Sequence, residues 1–186
     1  MTGADEGPPM TGTDEGTPMN AHDEGTPMTG TGEGTPMNAD KVIELLGLEP
    51  LPDEGGLWTQ TWRDEHSSAI YYLMTPGDFS ALHRLSGPEL WHHYAGAAVE
   101  TLLLAPDGTV SRPVLGDDLA RGQRPMVAVP AGVWMAATTT GDWSLIGATL
   151  APPYDPNGFE LGDPEELTMA YPEAAADIAR FTRRKQ

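Results

Sequence analysis

Two side chains six positions apart, His83 and Glu89, are the best suited in this sequence to moving protons. An imidazole titrates near neutrality and can act as a base, and a carboxylate beside it can orient it or balance its charge. Both lie in short β-type runs, DFSALHRL at 78–85 and ELWHHYA at 89–95. Side chains on a strand alternate between faces. In the first run Phe79, Ala81, His83 and Leu85 therefore share a face, with Ser80, Leu82 and Arg84 opposite. In the second, Glu89, Trp91 and His93 share one face and Leu90, His92 and Tyr94 the other, an assignment that a β-bulge would reverse. Burying a carboxylate is unfavourable unless it is paired, so His83 is the expected partner of Glu89 in an inward dyad. Tyr72, in the run SAIYYLMT, joins them as a candidate catalytic residue that would return a proton, a role His93 could also fill. Gln60 lies between Trp58 and Trp62 in WTQTWR, and a polar group set among aromatics points to a ligand cavity. Gln60, Trp91, His92, His93 and Trp134 are the candidate ligand-binding residues. The plainer alternative for His83 is a hydrogen-bonded core residue, and for the tryptophans core or cavity wall.

Other chemistries are poorly provided for. Strand alternation turns Ser80 away from His83, and there is no G-x-S-x-G elbow, so a nucleophilic triad is not expected. The Gly-rich N-terminal stretches lack the strand-then-helix setting and the Lys of a phosphate loop. The absence of cysteine removes disulfides, thiolate metal sites and cysteine nucleophiles. The 186 residues carry 28 acidic and 10 basic side chains, a formal charge of −18, and so acidic a chain would be repelled by nucleic acid. No stretch approaches a membrane-spanning apolar run, and the N-terminus lacks a basic-then-apolar signal, so a cytoplasmic, membrane-free protein is expected.

The elements that would position these residues begin after a tail. Residues 1–36 are four nine-residue units, MTGADEGPP, MTGTDEGTP, MNAHDEGTP and MTGTGEGTP, each with a single Met as its apolar side chain. Such units cannot bury enough apolar area to offset ordering entropy, so 1–36 is expected to be a disordered, solubilising acidic tail ahead of one domain at 37–186. Seven acids and no Lys or Arg give the tail −7, leaving −11 on the body. An acidic cavity rim would disfavour phosphorylated ligands, with Arg63, Arg84 and Arg112 as the possible exceptions. Asp40 is the expected cap of a short helix bearing Val42, Ile43, Leu45 and Leu46, stopped by Gly47 and packed as a lid. Nine β-type runs follow between 57 and 151, divided by Gly, Pro and Asp, which predicts an antiparallel sandwich or barrel. A second helix is expected from Pro172, with Ala175, Ile178 and Phe181 on one side.

Gly77-DFSAL-His83-Arg84-Leu85-SGP-Glu89-LWHHYA-Gly96 resembles the first cupin motif, G-x5-H-x-H-x3,4-E-x6-G, in every spacing and in every named residue except the second His, here Leu85. Pro130-Ala131-Gly132-Val133-Trp134-Met135 resembles the P-x-G-x-x-H part of the second motif, with Met135 for its His and Thr139 for the Asn four residues on. With YYLMTPGDFSALHRL, ELWHHYAG, VPAGVW and GATLAPPYD, the chain over about 40–184 is similar to a small cupin subfamily of unknown function, often described as predicted sugar epimerases. The resemblance implies an all-β, double-stranded β-helix (jelly-roll barrel) with short N- and C-terminal helices, and a homodimer. Metal-binding cupins surround a divalent ion with three His and one Glu. Here only His83 and Glu89 remain, so no metal or other cofactor is expected, and those two would hold an ion if one bound. The implied function is binding of a small molecule, with metal-independent isomerisation or epimerisation of a sugar-like or carbonyl-containing metabolite as the activity. A ligand-binding cupin without turnover and a divalent-metal, dioxygenase-like enzyme are the alternatives.

Overall fold

The structure is a computed structural model that describes residues 37–183. The nine-residue repeats of 1–36 lie outside the described residues.

Helix α1 (Ala39–Leu46) opens on Asn38, whose side chain accepts from the Lys41 amide, and ends at Gly47 in the left-handed conformation. Asn38, not Asp40, is the cap; Asp40 lies in the first turn, where its charge suits the helix dipole. The strands are β1 (Glu49–Pro50), β2 (Leu57–Arg63), β3 (Ser68–Met74), β4 (Ser80–Leu85), β5 (Glu89–Gly96), β6 (Val99–Leu104), β7 (Val110–Ser111), β8 (Val114–Leu115), β9 (Met126–Val129), β10 (Trp134–Thr139), β11 (Ser144–Leu150) and β12 (Phe159–Leu161). Helices α2 (Pro164–Ala170) and α3 (Ala175–Phe181) follow. Arg112-Pro113 divides the run TVSRPVL into β7 and β8, since Pro cannot donate to a ladder.

One sheet has the order β1-β2-β3-β11-β5-β9, and the other β12-β4-β10-β6-β7, with β8 also on β6. From β3 to β6 and again from β9 to β12, successive strands alternate between the sheets, the winding of a double-stranded β-helix. All strand pairs are antiparallel, as the short, regularly spaced runs predict.

Three apolar clusters hold these layers. The space between the sheets is filled by Met74, Val99, Leu115, Val127, Val129, Met135, Ile146 and their neighbours. The C-terminal helices cover the outside of the second sheet, where Leu167, Tyr171, Ile178 and Phe181 meet Leu82, Leu102, Leu104 and Trp134. Helix α1 sets Val42, with Ile43 and Leu46, against Leu57, Tyr71, Leu73 and Leu145 on the outside of the first sheet. It is therefore a cover for that sheet and not a lid on a cavity, and Leu45 stays exposed.

Three β-bulges interrupt the alternation. Gln60 and Trp62 pair with the adjacent residues Ile70 and Ala69, so Thr61 is extra in β2. Met135 and Ala137 pair with His83 and Ser80, which leaves one surplus residue in β4. Leu145 and Ile146 pair with Ala95 and His93, which makes Tyr94 extra in β5. Each bulge reverses the facing of what lies beyond it.

Candidate functional site

A cavity of about 240 Å³ opens between the sheets, lined by His83, Glu89, Gln60, Trp58, Arg63, Leu85, Tyr154 and Phe159, and by Glu54 from the β1–β2 loop. Beneath it a recess of about 30 Å³ touches Glu54, Tyr72, Ser80, Glu89 and Trp91. Glu54 and Glu89 border both spaces. An outer groove of about 280 Å³ between β6 and α3 is a weaker candidate, because its charged groups are consumed in the Arg112–Asp177 and Arg180–Glu100 pairs.

His83 is almost fully buried, and its Nδ1 donates to the Ala81 carbonyl at 2.7 Å. A carbonyl can only accept, so Nδ1 carries a proton, and Nε2 is the nitrogen through which the ring would accept or release a second one. The Phe159 ring stacks on the imidazole at 5.3 Å between centroids. Nε2 faces Glu54 Oε2 at 4.0 Å, while Ser80 Oγ donates to the other Glu54 oxygen at 2.7 Å. The bulge in β4 is what brings Ser80 inward beside His83. The Ser80 hydroxyl donates to Glu54 and not to His83, so no Ser–His pair of a nucleophilic triad forms.

Glu89 is buried on the same wall, and its Oε2 accepts from Trp91 Nε1 at 2.8 Å. Burial pushes its carboxyl up to about 7; His83 and the Trp91 donor oppose that rise and Glu54 reinforces it. The expected dyad is thus rearranged. His83 and Glu89 line one cavity, but the acid nearest the imidazole is Glu54, and Glu89 is satisfied by Trp91.

Tyr72 is buried in the recess, with its hydroxyl donating to the Gly55 carbonyl at 2.8 Å. Burial, with Glu54 and Asp78 adding to it, raises the phenol well above 10, so it stays protonated. Trp91 belongs to the recess, and Gln60 lies at the exposed edge of the cavity. His93 shares a ladder position with the core residue Ile146, but its Nε2 meets the Ala97 carbonyl at 3.1 Å and it is not among the lining residues. His92 stands on the outer face opposite Gly147, stacked near Tyr94. Trp134 also points outward, under the C-terminal helices and the Arg84 guanidinium, because its neighbour Met135 takes the inward position opposite His83. Trp62 is turned out by the bulge and is 56% exposed.

Glu54 carries no sequence signal that would have found it, since an acid in PLPDEGG reads as an exposed turn. Its loop is nonetheless firmly held. Gly55 and Gly56 adopt φ of +96° and +69°, and a Cβ on Gly56 would lie 2.5 Å from the Tyr72 ring. The Glu54 carbonyl accepts from the Ala81 amide at 2.8 Å and Arg183 Nε at 3.3 Å, and Asp78 accepts from the Gly56 amide at 2.8 Å. Arg183 also pairs with Asp78 and donates to the Phe79 carbonyl. Burial works to raise the Asp78 carboxyl, but hydrogen bonds from Arg183, Gly56 and Phe79 outweigh it and hold the group below its ordinary range.

Residues 40–162 match the family described as Cupin superfamily (DUF985). Among solved structures, the chain is similar to protein SO0799 from Shewanella oneidensis, at 33% identity and a TM-score of 0.75, over 80% of this chain and 99% of that one. It is similar to a hypothetical protein from Leishmania major at 25% identity and a TM-score of 0.75, over 80% and 100% of the two chains. A cupin 2 conserved barrel domain protein from Rhodopseudomonas palustris, at 16% identity and a TM-score of 0.53 over 74% and 90%, shares the fold. No curated protein matches the chain.

The resemblance to metal-binding cupins raises the question of an ion, and the donors here do not fit one. Leu85 and Met135 stand where imidazoles would be needed, and both are buried in the core. Among the described residues no three His, Asp or Glu side chains converge as a metal would require.

Proposed function

This chain belongs to the cupin superfamily, in the family DUF985, and we propose that its cavity binds a small carbonyl-bearing metabolite, sugar-like or otherwise, and isomerises or epimerises it by proton transfer without a metal. The observation that carries this reading is the fixed tautomer of His83. Its Nδ1–H is tied to Ala81, so the basic Nε2 is presented beside the Glu54 carboxylate on the wall of a cavity. In the proposed step Nε2 takes a proton from the carbon next to the ligand's carbonyl, and the C–H electron pair moves into an enolate. The imidazolium so formed is balanced by Glu54 at 4.0 Å. Glu89, with its carboxyl near 7, is partly protonated at neutral pH and supplies the proton that returns to carbon. Glu54 thus takes the charge-balancing role expected of Glu89, and Glu89 the proton-return role expected of Tyr72 or His93.

The test is solvent deuterium incorporation, followed by proton NMR, into a panel of nucleotide-linked 4-keto sugars and simpler carbonyl metabolites. Exchange should occur with at least one member, and His83→Ala should slow it by about 10²–10⁴-fold with a much smaller change in affinity. Exchange should also decline as pH rises through about 7, and Glu89→Gln should remove that decline. The apolar wall of Trp58, Leu85, Leu150 and Phe159 favours a second reading, binding without turnover. Binding that His83→Ala weakens, with no exchange at high protein concentration, would establish it.

We further propose a cytoplasmic homodimer. Leu90, Tyr94 and Met126 are exposed together on the outer face of the first sheet, where a second copy would cover them. No helix among the described residues is long and apolar enough to cross a membrane.

A further inference from the structure

We infer that Arg63 recognises a carboxylate on the ligand, so that the molecule taken into the cavity is a small carbonyl-bearing acid with its anionic end at the mouth and its reacting carbon toward His83. The inference rests on the proton-transfer reading only for the second half of that description.

Strand alternation alone would put Trp62 inside and Arg63 outside. The extra residue Thr61 in β2 reverses them, so Arg63 pairs with Ser68 while Gln60 pairs with Ile70, and all four line the cavity. Bulges near binding sites commonly re-aim one side chain in this way, and here an aromatic is exchanged for a cation.

Arg63 is also set apart by what it does not meet. Acids outnumber bases 28 to 10, and Arg84, Arg112, Arg121, Arg180 and Arg183 each pair with a carboxylate. Among the described residues, Arg63 and Arg124 have no carboxylate partner, and of these two Arg63 alone lines the cavity. Its one hydrogen bond, from Nη2 to the Tyr154 carbonyl at 3.1 Å, orients the guanidinium without neutralising it. Nη2 keeps its second hydrogen for a ligand, and with the neighbouring Nε–H or Nη1–H it forms a planar fork that matches a carboxylate in two parallel bonds. A phosphate is a worse fit. One Arg would have to offset two negative charges in a space that also holds Glu54, Glu89 and Asp53.

The experiment titrates full-length protein with carbonyl acids of three to eight carbons, each beside its own primary amide. The Trp58 indole and Arg63 Nε–H resonances are followed by NMR. At least one acid should bind about tenfold or more tightly than its amide. Arg63→Gln should abolish that preference, and Arg63→Lys should restore part of it. Arg63 is exposed, and an unchanged melting temperature will show that the variants fold. Equal binding of acid and amide, a preference that survives in Arg63→Gln, or no displacement of either resonance by any acid would overturn the assignment. Deuterium exchange scored in the same samples separates the two proposals. An acid preference without exchange supports Arg63 and removes proton transfer. Exchange into amides as fast as into acids overturns the Arg63 assignment and leaves proton transfer standing.

Discussion

At the scale of single residues, the site is defined by two acids of different character. Glu54 is partly exposed and stays close to an imidazole and a hydroxyl, whereas Glu89 is enclosed and receives one indole N–H. For Glu89 the stability consequence has a definite sign. Its folded value near 7 lies above its ordinary 4.5, so the fold holds the protonated form. Stability is lost as pH rises from about 4.5 through 7 and is level above that. Glu89→Gln, which has no charge to bury, should therefore gain on the unmodified protein across this window, by on the order of 3 kcal/mol at most. Denaturant melts at pH 5 and pH 8 will check it, and a difference that does not vary with pH would refute the burial argument. His83 and Glu89 could be chosen from sequence because their types and strand setting mark them. Glu54 could not, because what makes it part of the site is a contact with residues 26 and 29 positions away.

At the scale of elements, bulges and one loop decide what the strands present. Alternation correctly set His83, Leu85, Glu89 and Trp91 inward, since each lies between a bulge and the next interruption. It failed for Phe79, which packs outward against Phe181, and for Ser80 and Trp62, all beyond a bulge. The β1–β2 loop depends on the C-terminal Arg183, which bonds both the Glu54 carbonyl and Asp78. Arg183→Met should cost about 1 kcal/mol or less in global stability, as exposed ion pairs do. It should nevertheless speed hydrogen exchange at the Gly56 and Ala81 amides, which that network holds. Unchanged exchange there would show that the loop holds itself. Helix α2 was not expected, although Asp163-Pro164-Glu165-Glu166 carries a cap followed by Pro and two first-turn acids, whereas β1 and β12 are too short for any periodicity to show.

At the scale of the whole molecule, two outer sheet faces are partly covered by helices, and part of the first remains open around Leu90, Tyr94 and Met126. Light scattering should give the mass of two chains at micromolar concentration, and Leu90→Lys with Met126→Lys should give one. A single chain throughout would reject the dimer. The sequence by itself determined the architecture: regularly punctuated β runs, a cupin-like spacing from Gly77 to Gly96, and the loss of two imidazoles to Leu85 and Met135. Those features are local, written in residue type and period. Only the tertiary structure decided that Glu54 and not Glu89 faces the imidazole, that Arg63 enters the cavity, and that Trp134 and His92 leave it. Strand facing is a two-state property that one inserted residue inverts, and whether an insertion is absorbed as a bulge depends on the partner strand, which no single segment specifies.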